Sequence, residues 1–487
     1  MPSIWLNITT IYGWQRPAVG IVRVESECAS YALSQASLPV RFCRFDAPEK
    51  RFVEVRADEV RKILDRIRAR APKKTASGAQ PPTQLAQDKA TITTPHPLTA
   101  EQRAVQWAHT LINCLPSGLR QPIFKFAAAR FPAFQAAARS ALELKKAAHL
   151  FFRPESNAPG LSPATESTQP ALKAGAPVPF QAQDTYISLG LDWDQKDVIF
   201  LYEQRQHIGF KTLLFCYDII PVKLPHLCVG DVSAKFAMYF ANLAWSADKI
   251  QCISECSRSD LQQLLTDLGA PIPELEVVRL GCDIPSPPDD EPTPEVAKLI
   301  GQKYLLFVST IERRKNHETV YRAYTRMVDQ GRTELPQLVF VGMPGWGVND
   351  LLADLRLDPR IVPYIRILNH VTDADLVHLY RNAYFTVYPS LYEGWGLPVA
   401  ESLAYGKFCL AANSASIPEV GGDLIEYLDP WDVPQWAERL RWYIDHPAAL
   451  EVAEQRIREH YRPTPWSECA ASILGASITR ACSGSGV

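Results

Sequence analysis

The stretch YPSLYEGWGLPVAESLAYG, residues 388–406, holds the densest set of side chains able to do chemistry. Glu393 and Glu401 stand with seven residues between them, on either side of Gly394, Gly396 and Pro398. The pattern predicts a strand ending near Tyr388, a glycine loop, and a helix that opens at Pro398, where the missing N–H costs nothing, and stops at Gly406. Such a loop aims free backbone amides and a helix dipole at a bound anion such as phosphate. Two carboxylates bracketing it would accept hydrogen bonds from the hydroxyl pairs of a sugar or ribose. Taken alone, Glu401 reads as a favourable acid in a first helical turn. Joined with the glycines, Pro398 and Ser390, the pair reads as a ligand site.

A second constellation is Arg314 with Lys315, directly after a strand-like run at 304–309. If a diphosphate leaves during a reaction, fixed cations here would stabilise the charge that develops on it. A basic turn ahead of a helix capped by Asn316 is the plainer alternative. Asp218, at the end of another strand-like run, reads as a cleft-facing carboxylate or as a turn cap. Ser416 with Glu419 fits a capping box, and so, more weakly, does Thr372 with Asp375. No histidine or cysteine spacing suits a metal, and the eleven scattered cysteines read as reduced core thiols.

These residues need parallel strands to deliver them. Short β-branched runs alternate with helical patterns, the sign of parallel sheets with crossover helices. One sheet is expected from 4–9, 40–45, 198–202, 212–219, 249–254 and 276–280, and a second from 304–309, 338–341, 365–368, 385–388, 408–411 and 424–427. Ligands of such sheets collect at the carboxyl ends of the strands. The 39 prolines among 487 residues concentrate in two stretches, 72–98 and 154–183, which read as flexible linkers. Residues 285–294, proline-rich and acidic, read as a hinge.

The linkers enclose a helical insert, 99–153. From Arg120 to Arg153 it carries seven cations against Glu143, interleaved with six phenylalanines. That combination suits an anionic membrane surface, while a helical hairpin with solvated charges fits equally. A net charge of −2 argues against a nucleic-acid binder. No apolar run is long enough to span a bilayer, and the N-terminus lacks the features of a secretory signal, so a cytoplasmic protein is expected, possible contact with the inner face of the membrane included.

The 388–406 stretch resembles the E-x7-E signature of the retaining GT4-type glycosyltransferases. Segments 307–324, 368–383 and 414–422 are similar to the family's basic segment opening the C-terminal domain, its base-binding loop and helix, and the segment after the signature, and 215–226 and 253–261 resemble the N-terminal domain of its mannosyltransferase-like branch. The resemblance implies an α/β protein of GT-B fold, with two Rossmann-like domains facing across a cleft and a helical insertion in the first. Domain limits of 1–290 and 291–465 follow, with a C-terminal helix and tail at 466–487 that packs back on the first domain.

It further implies a hexosyltransferase that needs no metal or other cofactor and moves mannose from GDP-mannose onto a lipid-linked glycan of a bacterial surface polysaccharide. UDP- or dTDP-sugars, and a non-catalytic scaffold that keeps the nucleotide pocket, are the alternatives. In this reading Glu393 holds sugar hydroxyls, and the Gly394, Trp395, Gly396 and Leu397 amides approach sugar and phosphate. Arg314 and Lys315 hold the diphosphate, Glu401 the ribose, and Val371 presents backbone to the base. Ser390 and a Gly20 loop complete the donor side, and Asp218 positions a substrate. Thr310 stands where relatives often carry a further arginine. Tyr217 replaces a histidine on the acceptor side and can bond a hydroxyl without carrying charge.

Overall fold

A computed structural model describes residues 2–15, 20–35, 38–69, 176–195, 197–228, 232–283, 291–345 and 347–475. The expected linker 72–98, the helical insert 99–153, residues 154–175 of the second linker, 285–290 of the hinge and the tail beyond 475 lie outside the described residues.

Two sheets form one compact unit. The first contains β1 (Ile4–Asn7), β2 (Val40–Asp46), β3 (Arg51–Val55), β4 (Thr185–Ser188), β5 (Lys211–Cys216), β6 (Lys249–Cys252) and β7 (Glu274–Val277), in the order β3-β2-β1-β4-β5-β6-β7. All neighbours run parallel except β2 and β3, which form a hairpin with Phe45 opposite Phe52. The second contains β8 (Tyr304–Val308), β9 (Gln337–Val341), β10 (Ile365–Leu368), β11 (Phe385–Tyr388), β12 (Cys409–Ala412) and β13 (Glu426–Leu428), all parallel, in the order β10-β9-β8-β11-β12-β13. Both sheets reverse direction of growth beside their first strand, β1 or β8, which is the Rossmann-like arrangement and creates a crevice at the strand ends. Their strands read as apolar runs because helices cover both faces, as in Leu305, Leu306 and Phe307, all fully buried.

Three expectations need correction. Residues 198–202 are not a strand but the start of the helix Val198–Ile208, whose Asp197 side chain accepts from Phe200 N at 3.0 Å and whose end is set by Gly209 in the left-handed region. The strand at this place in the sheet is β4, four residues long. An apolar run such as VIFLY has no periodicity to tell strand from buried helix, and the cap decides. The antiparallel β3 was not expected at all. The second linker, expected to reach 183, ends earlier: Glu54 N donates to Ala176 O, Val178 N donates to Phe52 O, and Phe180 stacks on Phe210 at 4.6 Å. These residues add an edge to the β3 hairpin and cover its aromatic face.

The helix Trp466–Gly475 packs against the helix Ile21–Ser34 of the first sheet's layer. Cys282 N donates to Thr464 O, Trp466 N donates to Asp283 Oδ1, and the Arg23 guanidinium lies over the Trp466 ring. The return of the chain requires Gly281, where a Cβ would come within 2.4 Å of the Trp466 ring and 2.6 Å of its Cα. Among the described residues no helix is long and apolar enough to cross a membrane. Gly281→Ala is expected to lower stability by about 1–3 kcal/mol through overpacking against a backbone atom, read as a lower urea midpoint.

Candidate active site

Strand β8 delivers the cations. After Val308 the chain turns through Ser309 and Thr310, and Arg313–Lys315 form a single 3-10 turn before the helix His317–Asp329. Asn316 sits at the junction with φ 59°. Its side chain does not cap the helix, as the sequence suggested, but donates to Pro389 O at 3.0 Å and Pro430 O at 2.8 Å. This ties the turn to the carboxyl ends of β11 and β13. His317 is fully buried against Phe307, so the turn has a packed floor.

The two cations then meet the carboxylate that β11 delivers. Lys315 Nζ lies 2.7 Å from Glu393 Oε1, and Arg314 lies 2.8 Å from Glu393 Oε2 while also donating to Tyr392 O at 2.7 Å. Ser390 Oγ donates to Glu393 Oε1 at 2.5 Å, and Tyr388 OH to the same oxygen at 3.1 Å. Burial alone would raise the Glu393 carboxyl, but Arg314 and Lys315, with the hydrogen bonds from Lys315 and Ser390, outweigh it and hold its pKa down at about 2. Burial and the neighbouring Arg314 charge push the Lys315 ammonium down, with Glu393 opposing them. Two half-buried cations thus converge on one buried carboxylate, with Asp218 near enough to feel all three.

Asp218 follows β5. Its Oδ1 accepts Ile220 N at 3.0 Å, the turn-cap arrangement, yet burial raises its pKa against that bond and the Arg314 charge. The β11 loop meets the end of β5 beside it. A Cβ on Gly394 would lie 2.4 Å from Tyr217 O and 3.0 Å from Asp218 Cβ, so only glycine lets the β11 loop reach the end of β5.

Glu401 is at the far end of the loop. Gly396, at φ 114°, precedes the helix Leu397–Ala404, and Glu401 is its fifth residue, just past the first turn in which it was expected. Burial raises its pKa, opposed by the Tyr380 hydroxyl donating at 2.9 Å and by the Arg23 charge from the first sheet's layer. Glu393 and Glu401 therefore have opposite environments: one is ion-paired and held ionised, the other keeps a single hydroxyl donor and an elevated pKa. Val371 is half-buried just ahead of the Thr372–Asp375 capping box, which is formed.

The remaining expected residues are placed unequally. Ser390 is inside the cluster, Trp395 and Leu397 line the loop, and the Trp395 Nε1 is buried without a hydrogen-bond acceptor. Thr310 is exposed beside the cation turn. Gly20 starts the helix Ile21–Ser34 after an intervening short helix, Thr9–Gly13, not directly after a strand. Tyr217 does not turn its hydroxyl to the cluster: it donates to Leu189 O at 2.5 Å inside the first layer, next to Phe215. Tyr388, Tyr392 and Ser416 escaped the sequence reading. Tyr388 read as a strand end and Tyr392 was given no role in the loop, and Ser416 looked like a cap, whereas its hydroxyl bonds Glu393 O at 2.9 Å and Trp395 O at 3.0 Å. Among the described residues no group of three or more His, Cys, Asp or Glu is arranged to hold a metal ion.

Residues 290–460 match the family described as Glycosyl transferases group 1. Over 235 residues the chain is 32% identical to the O-antigen chain mannosyltransferase B of Escherichia coli, covering 47% of this chain and 60% of that one. Over 292 residues it is 25% identical to the serotype-specific mannosyltransferase WbdA of Escherichia coli, covering 58% of this chain and 34% of the relative. The chain thus spans less than two thirds of the length of these relatives. Among solved structures, a sucrose-phosphate synthase from Thermosynechococcus elongatus superposes with a TM-score of 0.46 at 17% identity, over 62% of this chain and 74% of that one.

Replacing Glu393 by glutamine removes the close counter-charge of Arg314 and Lys315 and leaves Arg314 the longer pairing with Glu312 at 3.8 Å. Glu393→Gln is expected to cost about 3 kcal/mol at pH 7. Because the folded carboxyl is depressed from 4.5 to about 2, its stabilisation is present above about pH 4.5 and is lost as pH falls toward 2. Urea unfolding of parent and variant between pH 7 and 2.5 should therefore converge at the acid end.

Proposed function

We propose, from the match of residues 290–460 to the glycosyl transferases group 1 family, that this chain transfers a hexose from a nucleotide sugar, with retention of configuration and without a metal ion, to a growing glycan. The observation that carries the reading is the convergence of Arg314, Lys315 and Glu393 at the carboxyl ends of β8 and β11, beside the N-terminus of the helix that bears Glu401. Arg314 and Lys315, oriented by Glu393, are fixed donors able to turn to a diphosphate. The helix start and the loop amides add fixed dipoles in the same place.

In this reading Arg314 and Lys315 take up the charge that develops on the departing diphosphate. Glu393, kept ionised by the same two cations, accepts hydrogen bonds from donor-sugar hydroxyls and fixes the direction of the Arg314 and Lys315 side chains. The acceptor hydroxyl attacks the anomeric carbon on the face from which the phosphate leaves, and its proton passes to the departing phosphate oxygen. No separate general base is then needed. Glu401, its pKa raised by burial and one oxygen bonded by the Tyr380 hydroxyl, accepts from the ribose. Asp218 stands opposite, on the β5 side, positioned to orient a sugar hydroxyl.

The donor we favour is GDP-mannose and the acceptor a lipid-linked surface polysaccharide at the cytoplasmic face of the membrane. The names of the two relatives support mannose and a surface polysaccharide, while the GDP carrier, the lipid link and the membrane face rest on the sequence resemblance. Contact with anionic lipid through 120–153 belongs to the same proposal and rests on the sequence alone.

Thermal unfolding with GDP, UDP, dTDP and ADP tests the donor. A ligand at 100 times its dissociation constant raises stability by about 2.7 kcal/mol, and GDP is expected to do so while Glu401→Ala weakens the effect. A shift with UDP or dTDP in place of GDP would overturn the mannose assignment. Lys315→Ala is expected to lower kcat about 100- to 1000-fold with a smaller change in nucleotide affinity, as measured by release of GDP from GDP-mannose with a glycan acceptor.

A further inference from the structure

The helix Glu255–Leu268 begins at the carboxyl end of β6, and its first four amides can be accounted for one by one. Ser257 N donates to Ser254 Oγ at 3.0 Å, and Arg258 N donates to Ser254 O at 3.0 Å. The other two are not met from the helix's own surroundings. Glu255 N donates to Glu419 Oε2 and Cys256 N to Glu419 Oε1, each at 2.8 Å. Glu419 belongs to the helix Ile417–Gly421 of the second sheet's layer, so one carboxylate from that layer completes a helix start in the other. A carboxylate at a helix N-terminus is favoured both as a charged acceptor and by the helix dipole.

The same two elements grip the loop that bears Glu393. One residue after the two amides, Ser257 Oγ donates to Tyr217 O at 3.0 Å and lies 3.3 Å from Gly394 O. Three residues before Glu419, Ser416 Oγ bonds the carbonyls of Glu393 and Trp395. One turn further along the helix, Asp260 accepts from the Tyr392 hydroxyl and pairs with Lys223 at 2.7 Å. The 392–396 loop is therefore held from both layers at once, while Glu419 itself is exposed and packs into no core.

We infer that Glu419 is a positioning residue: by clasping the first two amides of Glu255–Leu268 it sets the approach of the Glu393 loop to Asp218. This rests on the reading of that loop as the donor site. Binding of the nucleotide uses Arg314, Lys315 and Glu401, all on the second layer's strands, turn and helix. Transfer needs the first layer as well. Removing the clasp should therefore separate the two: transfer falls and nucleotide binding stays.

Amide hydrogen exchange at Glu255 and Cys256, together with steady-state transfer and nucleotide binding, tests this in the full chain with Glu419→Ala and Glu419→Gln. The expected result is slow exchange at both amides in the parent, fast exchange in Glu419→Ala, kcat lower by about ten-fold and a nucleotide dissociation constant within about two-fold of the parent. Glu419→Gln, which keeps one acceptor oxygen, should recover part of both the protection and kcat. Unprotected amides in the parent, or a Glu419→Ala variant with the parent's kcat, would overturn the inference. Absence of transfer by the parent with every nucleotide sugar would instead count against the proposed function, and the exchange measurement would still decide whether the clasp exists.

Discussion

The charge cluster of Glu393, Arg314 and Lys315 is the constraint around which the second layer is arranged. Three ionised groups removed from water are costly unless each is paired and hydrogen-bonded. Here every component of the surroundings serves that need. Ser390 and Tyr388 satisfy the same carboxylate oxygen as Lys315, Arg314 also bonds the Tyr392 carbonyl, and Asn316 fixes the turn from which both cations project. Because β8 and β11 are adjacent and parallel in the sheet, with Phe385 opposite Leu305, the two loops that follow them emerge side by side. The cluster is thus a direct product of strand order.

Its electrostatics divide labour between the two glutamates. Glu393 has two cations and stays ionised, while Glu401 has burial, a tyrosine hydroxyl and a more distant arginine. Like residues eight positions apart end with opposite pKa directions because one loop residue faces the β8 turn and the other lies on a helix among Tyr380 and Tyr405. Cations that are already oriented by a carboxylate need little rearrangement when charge develops near them, which is the physical advantage of a preorganised site.

Around the Glu393 loop, small polar groups and backbone supply directional contacts between the layers beside the shared apolar core. Gly394 admits the Tyr217 carbonyl, Ser257 bridges the Tyr217 and Gly394 carbonyls, and Glu419 meets two amides. Such contacts are directional and depend on exact register between elements that are far apart in the chain. The helix Trp466–Gly475 adds a second link, since it follows the second sheet in sequence and packs on the helix Ile21–Ser34.

The sequence by itself determined the alternation of strands and crossover helices, most of the strands, the loop and helix around Glu393 and Glu401, and the pairing of Arg314 with Lys315 after a strand. All of these are local patterns, set by periodicity, glycine and proline over about twenty residues. Only the tertiary structure decided that residues 198–202 are helix, because a five-residue apolar run fits either state and the Asp197 cap breaks the tie. It also decided that Tyr217 bonds Leu189, that Asn316 bonds two proline carbonyls, and that Glu419 serves amides 164 and 163 residues away instead of its own helix. Each of these is a choice of hydrogen-bond partner, and a polar side chain's sequence context names only its nearest candidates. Partners brought together by strand order become available after the sheets form, and burial then makes satisfying them obligatory.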